Sequence, residues 1–341
     1  MDGTSALNQS RPVARIAALA GFLLLPSSLA LAQTHAASEP MRLDAKIPLG
    51  PVHGRIDHMA IDVAGRRLFV AELGNDSVGI VDLALRKTIR TIEGLAEPQG
   101  VGYIPAKDTI YVANARDGSV RLFRGAHYGV AGRIDLGSDA DNVRLDANAN
   151  RVLVGYGDGA IAAIDAARQE KFGDIRLPAH PESFQIGGEP RQVFVNIPAI
   201  HAVVVLDGIT LNQTAKWPLS EGGNFPMAVD PENGRVLVVS RNPPRLIVLD
   251  EDGSIVTEAD TCRDSDDLFV DASRRRVYVS CGSGVIDVFE RQGNAYRRLA
   301  RIPTVAGART SLFVPDLDVL LLAVRATLTE PAAVWVFKPE P

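Results

Sequence analysis

The chain has 341 residues, 46% of them hydrophobic and 6% aromatic, with 36 basic and 41 acidic side chains and a formal charge of −5. A mildly acidic balance argues against nucleic-acid binding, which needs clustered Lys and Arg to displace counterions from phosphates. The basic runs Arg66-Arg67 and Arg274-Arg275-Arg276 stand in turns just before strand-like segments and read as solvated hairpin tips.

At the N-terminus, Arg11 and Arg15 precede the apolar stretch Ile16 to Leu25, Pro26 breaks it, and Ala30-Leu31-Ala32 supplies small residues one apart. This anatomy predicts a secretory signal peptide over 1–32. The uninterrupted apolar run is too short for a membrane anchor, which needs roughly 20 residues. Residues 33–41 then form a flexible lead, and one domain spans 42–341 with no linker or composition shift inside it. The expectation is an exported, monomeric protein, periplasmic in a Gram-negative cell, with no membrane span after cleavage. Removing 1–32 leaves 34 basic and 40 acidic residues.

From there the chain repeats itself. In Asp141 to Ile164 a short apolar run, a polar turn, a second run, a Gly/Asp turn and a third run follow one another, too short and too punctuated for helices. Taking the first apolar residue of the middle run as a marker gives Leu68, Ile110, Val152, Val193, Val236, Val277 and Leu320, spaced 41 to 43 apart. Asp82, Arg124, Asp165, Asp207, Asp250 and Glu290 follow their markers by 13 or 14 residues, and only the last unit breaks step, at Lys338. A period of this length with about four strands in it predicts an all-β, seven-bladed propeller.

The runs RRLFVAELGNDSVGIVDL (66–83), DTIYVANARDGSVRLF (108–123) and RRVYVSCGSGVIDVF (276–289) resemble the YVTN-type, YncE-like propeller repeats of bacterial proteins, over about residues 42–341. The resemblance implies seven blades and says little about activity, because this fold carries binding proteins, enzymes and scaffolds alike.

The seventh unit is short by one strand: it offers Ser311 to Val314, Val319 to Val324 and Ala333 to Phe337. Arg42 to Leu49 alternates like a strand and is expected to pair with the last run and close the ring. Cys262 approaches the sixth unit's first strand and Cys281 ends its second, so an antiparallel pair brings them together as a disulfide, which export to an oxidising compartment allows.

First strands line the channel of a propeller, and their entrances share one face with the turns between second and third strands. The entrance pairs are Asp57/His58, Gln99/Gly100, Asp141/Asn142, Glu182/Ser183, Phe225/Pro226, Asp266/Asp267 and Thr310/Ser311, with Arg55, Asp139, His180, Asn224, Asp264 and Arg309 just upstream. Arg241 comes to the same face from a second-to-third-strand turn. Asp and Asn at strand starts often cap neighbouring N–H groups and nothing more. Alternatively the ring is a binding site at the channel mouth, comprising Arg55, Asp57, His58, Gln99, Asp141, Asn142, His180, Glu182, Asn224, Asp266, Asp267 and Arg309. Within it Asp57, Asp141, Glu182 and Asp266 could hold a divalent metal such as Ca²⁺.

Gly155-Tyr156-Gly157-Asp158-Gly159 joins two strands with no helix after it, so it is a hairpin and not a phosphate loop. HExxH, CxxC, GxSxG and Walker motifs are absent from the sequence. With no catalytic signature, the reading adopted is a binding protein that takes a small molecule or a protein partner at the mouth. The alternatives are a metal-dependent hydrolase of the lactonase kind and a redox or dehydrogenase-associated propeller subunit.

Overall fold

The computed structural model describes residues 39–188 and 191–341; the expected signal peptide and residues 33–38 of the lead lie outside the described residues. Seven four-stranded antiparallel sheets form seven blades. In the third blade Val143–Asp146 pairs with Arg151–Tyr156, which pairs with Ala160–Asp165, which pairs with Glu170–Arg176 on the outside. Among the described residues no helix is long and apolar enough to cross a membrane.

Burial explains the sequence pattern. Blades stack face to face, so both faces of a middle strand are covered; Arg67–Glu72 and Ser77–Asp82 are buried almost throughout and read as continuous apolar runs. The outer strand Lys87–Ile92 is mostly exposed and correspondingly polar. The apolar clusters therefore lie between blades. One joins Leu68, Val70 and Val81 of the first blade to Val314, Leu321 and Val334 of the seventh.

The ring closes as the short seventh unit requires. Met41–Pro48 pairs antiparallel with Ala333–Pro339, Met41 opposite Pro339 and Pro48 opposite Ala333. The strand starts one residue earlier than the alternation at Arg42 to Leu49 suggests, and Leu49 extends the pairing by donating its N–H to the Ala332 carbonyl at 3.0 Å. Ile47 enters the cluster between the first and last blades, and Met41 the cluster between the sixth and seventh, so the closing strand fills two inter-blade seams. Arg276 of the sixth blade donates to the carbonyls of Pro40 and Pro341, at 3.2 and 3.1 Å, and ties both flanks of this sheet down.

Cys262 and Cys281 are joined as a disulfide, with a sequence separation of 19, inside the apolar cluster shared by the fifth and sixth blades. Two asparagines at the ends of second strands, Asn114 and Asn196, are wholly buried. Asn114 donates to the Val112 and Ser119 carbonyls, and Asn196 to Phe225 O and Pro226 O of the next blade. In the runs YVAN and FVNI the asparagine is therefore a fastener of turns and blades.

Candidate functional site at the channel mouth

All seven inner strands open onto one cavity of about 570 Å³, lined at its entrance by Arg55, Asp57, His58, Gln99, Asp139, Asp141, His180, Glu182, Phe225, Arg241, Asp266, Asp267 and Arg309. Its position follows from the fold, because each inner strand begins at this end of the channel. Close backbone approach helps: a Cβ on Gly100 would come within 2.0 Å of the Asp141 carbonyl oxygen, so only glycine lets the second and third blades meet there.

The two histidines share a carboxylate. His58 Nε2 lies 3.8 Å from Asp141 Oδ1 and 3.9 Å from Asp57 Oδ1. His180 Nε2 is 4.0 Å from Asp141 Oδ2, its Nδ1 is 3.6 Å from Asp139 Oδ2, and Nδ1 meets the Gly157 carbonyl at 2.6 Å. The Asp141 contacts are ionic in range and too long for hydrogen bonds, and Asp141 Oδ1 is buried without a hydrogen-bond partner. His180 is raised to about 9, first by Asp141 and, against the cost of burial, by Gly157 O and Asp139. Burial works against a proton on His58, but Asp57, Asp141 and Asp267 outweigh it and raise its pKa.

The carboxylates move the same way for the opposite electrostatic reason. Burial pushes Asp57 up to about 6 although His58 and Arg55 pull it down, the Arg55 guanidinium lying 2.7 Å from Oδ2. Burial pushes Asp267 up to about 7; Asp266 adds to this, while His58, the Ser311 N–H at 2.7 Å and Arg144 oppose it. Glu182 is raised too, first by burial and then by Asp141. The other side of the mouth is neutralised by arginine: Asp266 pairs with Arg241 and with Arg309 Nε at 3.1 Å, and Arg309 also pairs with Asp264. The Arg241 guanidinium lies 3.6 Å from the centre of the Phe225 ring, a cation–π contact within the cavity wall.

Most residues named from the sequence meet here, and two do not. Asn142 is fully buried and donates to the Glu182 backbone carbonyl at 2.7 Å; Asn224 is fully buried and donates to Asn196 Oδ1 and Ala202 O at 3.0 and 3.1 Å. Both lie outside the cavity wall and fasten blades, because neighbouring residues of an extended strand point to opposite sides. Gln99 lines the cavity and reaches Asp139 Oδ1 at 3.4 Å. Of the four carboxylates considered for a divalent ion, Asp57 and Asp266 face guanidinium groups, Asp141 faces two imidazoles, and Glu182 stands apart. Among the described residues no three His, Cys, Asp or Glu side chains are grouped as a metal site.

Arg144 is the residue that sequence reasoning missed. It lines the cavity in the third blade's inner strand, where the other units carry Ala60, Gly102, Gln185, Ala228, Phe269 and Leu312. A charge inside an otherwise apolar inner strand was the available signal. Burial lowers its pKa, with Asp267 and Asp141 opposing.

No family model matches the chain, and no curated protein matches it. Solved structures do: 1781 chains are similar, so the likeness is to a widely used fold and selects no function. One is Kuenenia stuttgartiensis hydrazine synthase, 15% identical, covering 89% of this chain and 98% of that one with a TM-score of 0.69. At that identity the likeness shows the seven-bladed fold alone.

Proposed function

We propose that this propeller is an exported, YVTN-type binding protein whose channel mouth takes a small polar ligand. The observation that carries the reading is the set of carboxylates around His58, Asp57 and Asp141 buried and Asp267 half-buried, in one cavity to which every blade contributes. Like charges concentrated in a poorly solvated place cost folding free energy, and such groups persist where a site uses them. The signal-peptide anatomy of residues 1–32 supports export, and the repeat motifs support the YVTN type.

A catalytic second reading has one observation in its favour: a carboxyl group raised to about 7, as Asp267 is, can give or take a proton at neutral pH. The histidines do not add to it, since both are held towards the protonated form and make poor bases. The test of binding is direct. Mass spectrometry of small molecules released on denaturing the purified protein should find a compound in the wild type that is depleted in Asp141→Asn. Identical release profiles from folded samples of both would overturn the proposal.

A further inference from the structure

Arg144 is the one cation among the described cavity-lining residues with no ion pair. Arg55 meets Asp57, Arg241 and Arg309 meet Asp266, and His58 and His180 meet Asp141, all within 4.0 Å. Arg144 instead donates Nη1 to its own residue's neighbour, the Val143 carbonyl, at 3.0 Å, and lies 5.7 Å from the Phe184 ring centre. A guanidinium has five N–H donors in a planar fork, so most of this one's capacity is unspent inside the channel.

Carboxylate capacity is unspent in the same cavity. Glu182 lines it and, among the described residues, its side chain has no ion pair and no hydrogen bond. Asp141 lies 7% exposed with Oδ1 lacking a hydrogen-bond partner. Half-buried charges without a partner are costly, and here one of each sign opens onto one space. An anion alone would satisfy Arg144 and add repulsion from Glu182 and Asp141; a cation alone would do the reverse. A molecule carrying both charges satisfies all three.

Resting on the mouth as the binding site, we infer that its ligand is a zwitterion, with a carboxylate on the Arg144 guanidinium and a protonated amine on Glu182 and Asp141. The cavity of about 570 Å³ suits a small molecule of this kind. Phe225, Met227 and Leu268 give its carbon skeleton apolar wall.

The experiment uses ω-amino acids from glycine to 6-aminohexanoate, each beside the carboxylate and the amine of the same chain length, and reads binding to the folded protein by titration calorimetry. At least one ω-amino acid should bind the wild type about tenfold or more tighter than both singly charged counterparts. Arg144→Gln should remove that preference by weakening the zwitterion without weakening the amine, and Glu182→Gln should weaken the zwitterion without weakening the carboxylate. Glu182→Gln also keeps the test open should Arg144→Gln not fold. If singly charged probes bind as tightly as the zwitterions, or if the compound released from the wild type carries one sign of charge, the zwitterion assignment falls while the mouth remains a binding site. If no probe binds and nothing is released on denaturation, both fall together.

Discussion

Of the three carboxylates on the sixth blade's inner strand, Ser265–Asp271, Asp267 near one end and Asp271 at the other live in opposite electrostatic worlds. Asp271, on the face away from the mouth, is 2% exposed and fully engaged. It accepts from Ser273 Oγ at 2.6 Å, Tyr278 OH at 2.7 Å, and the Arg274 N–H and Nη1, both at 3.2 Å. Burial alone would raise its pKa, yet these donors outweigh burial and lower it. Asp267, at the mouth, accepts only the Ser311 N–H among the described residues, and burial raises it to about 7.

The contrast extends around the ring. Away from the mouth, Asp62 pairs with Arg67, Asp146 with Arg151 and Arg191, and Asp165 and Asp207 accept the N–H groups of their own turns, which lower both pKa values. At the mouth Asp57, Glu182 and Asp267 are all raised. One face uses its carboxylates to build turns and lash blades together. The other pairs Asp264 and Asp266 with arginine but holds Asp57, Glu182 and Asp267 against their own solvation preference, which is what a site kept for a ligand looks like.

The largest effect expected is at the structural face. Asp146 is wholly buried, bonded to Arg151 Nε at 2.9 Å, and Arg151 in turn donates to Gly208 O of the next blade at 2.6 Å. Asp146→Ala strands that guanidinium and should cost about 3–5 kcal/mol by chemical denaturation, the range for breaking a buried pair. A loss near zero would dissolve the distinction between the faces.

Smaller and more diagnostic is the pH dependence of melting. In the folded protein Asp57 and Asp267 keep protons up to about pH 6 and 7 that the unfolded chain releases near 3.8, so the fold is favoured at low pH and stability falls as pH rises through those values. His180, raised from 6.5 to about 9, contributes stability that is present below 6.5 and lost as pH rises through about 9, and His58 acts in the same direction. Asp271, Asp165 and Asp207 are lowered, so their contribution is present above the ordinary carboxylate range and lost on acidification below it. The mouth thus shapes the fall in stability between pH 3.8 and about 9, and the opposite face the loss below the ordinary carboxylate range. Asp57→Asn should flatten the fall between pH 3.8 and about 6 and leave the loss below 3.8 unchanged; an effect confined to the region below 3.8 would break the comparison.

Much of this was readable from the sequence, for reasons that particular residues make plain. The markers from Leu68 to Leu320 recur because each blade must cross the same radius, and Met41–Pro48 could be anticipated because the last blade lacks an edge. Which member of an entrance pair faces the cavity was not readable. Alternation sends Asp141 to the cavity and Asn142 between blades. In the sixth blade, however, a register shift separates Ser265, opposite Cys281, from Asp267, opposite Ser280, and both Asp266 and Asp267 reach the cavity. Such a bulge leaves no mark in residue type. Neither did the sequence distinguish a capping carboxylate from a strained one, since Asp267 and Asp271 differ only in which donors the fold delivers to them.

The most direct test places those two side by side. Asp267→Asn and Asp271→Asn are compared with the wild type by thermal melting at about pH 8, above the point at which both folded carboxyl groups have ionised. Asn keeps an oxygen for the Ser311 N–H while removing the buried charge, so Asp267→Asn should melt at or above the wild-type temperature; Asp271→Asn, losing a charge with four donors around it, should melt well below. If Asp267→Asn falls as far as Asp271→Asn, the mouth carboxylates are structural like the rest, and the site has no claim to be kept for a ligand.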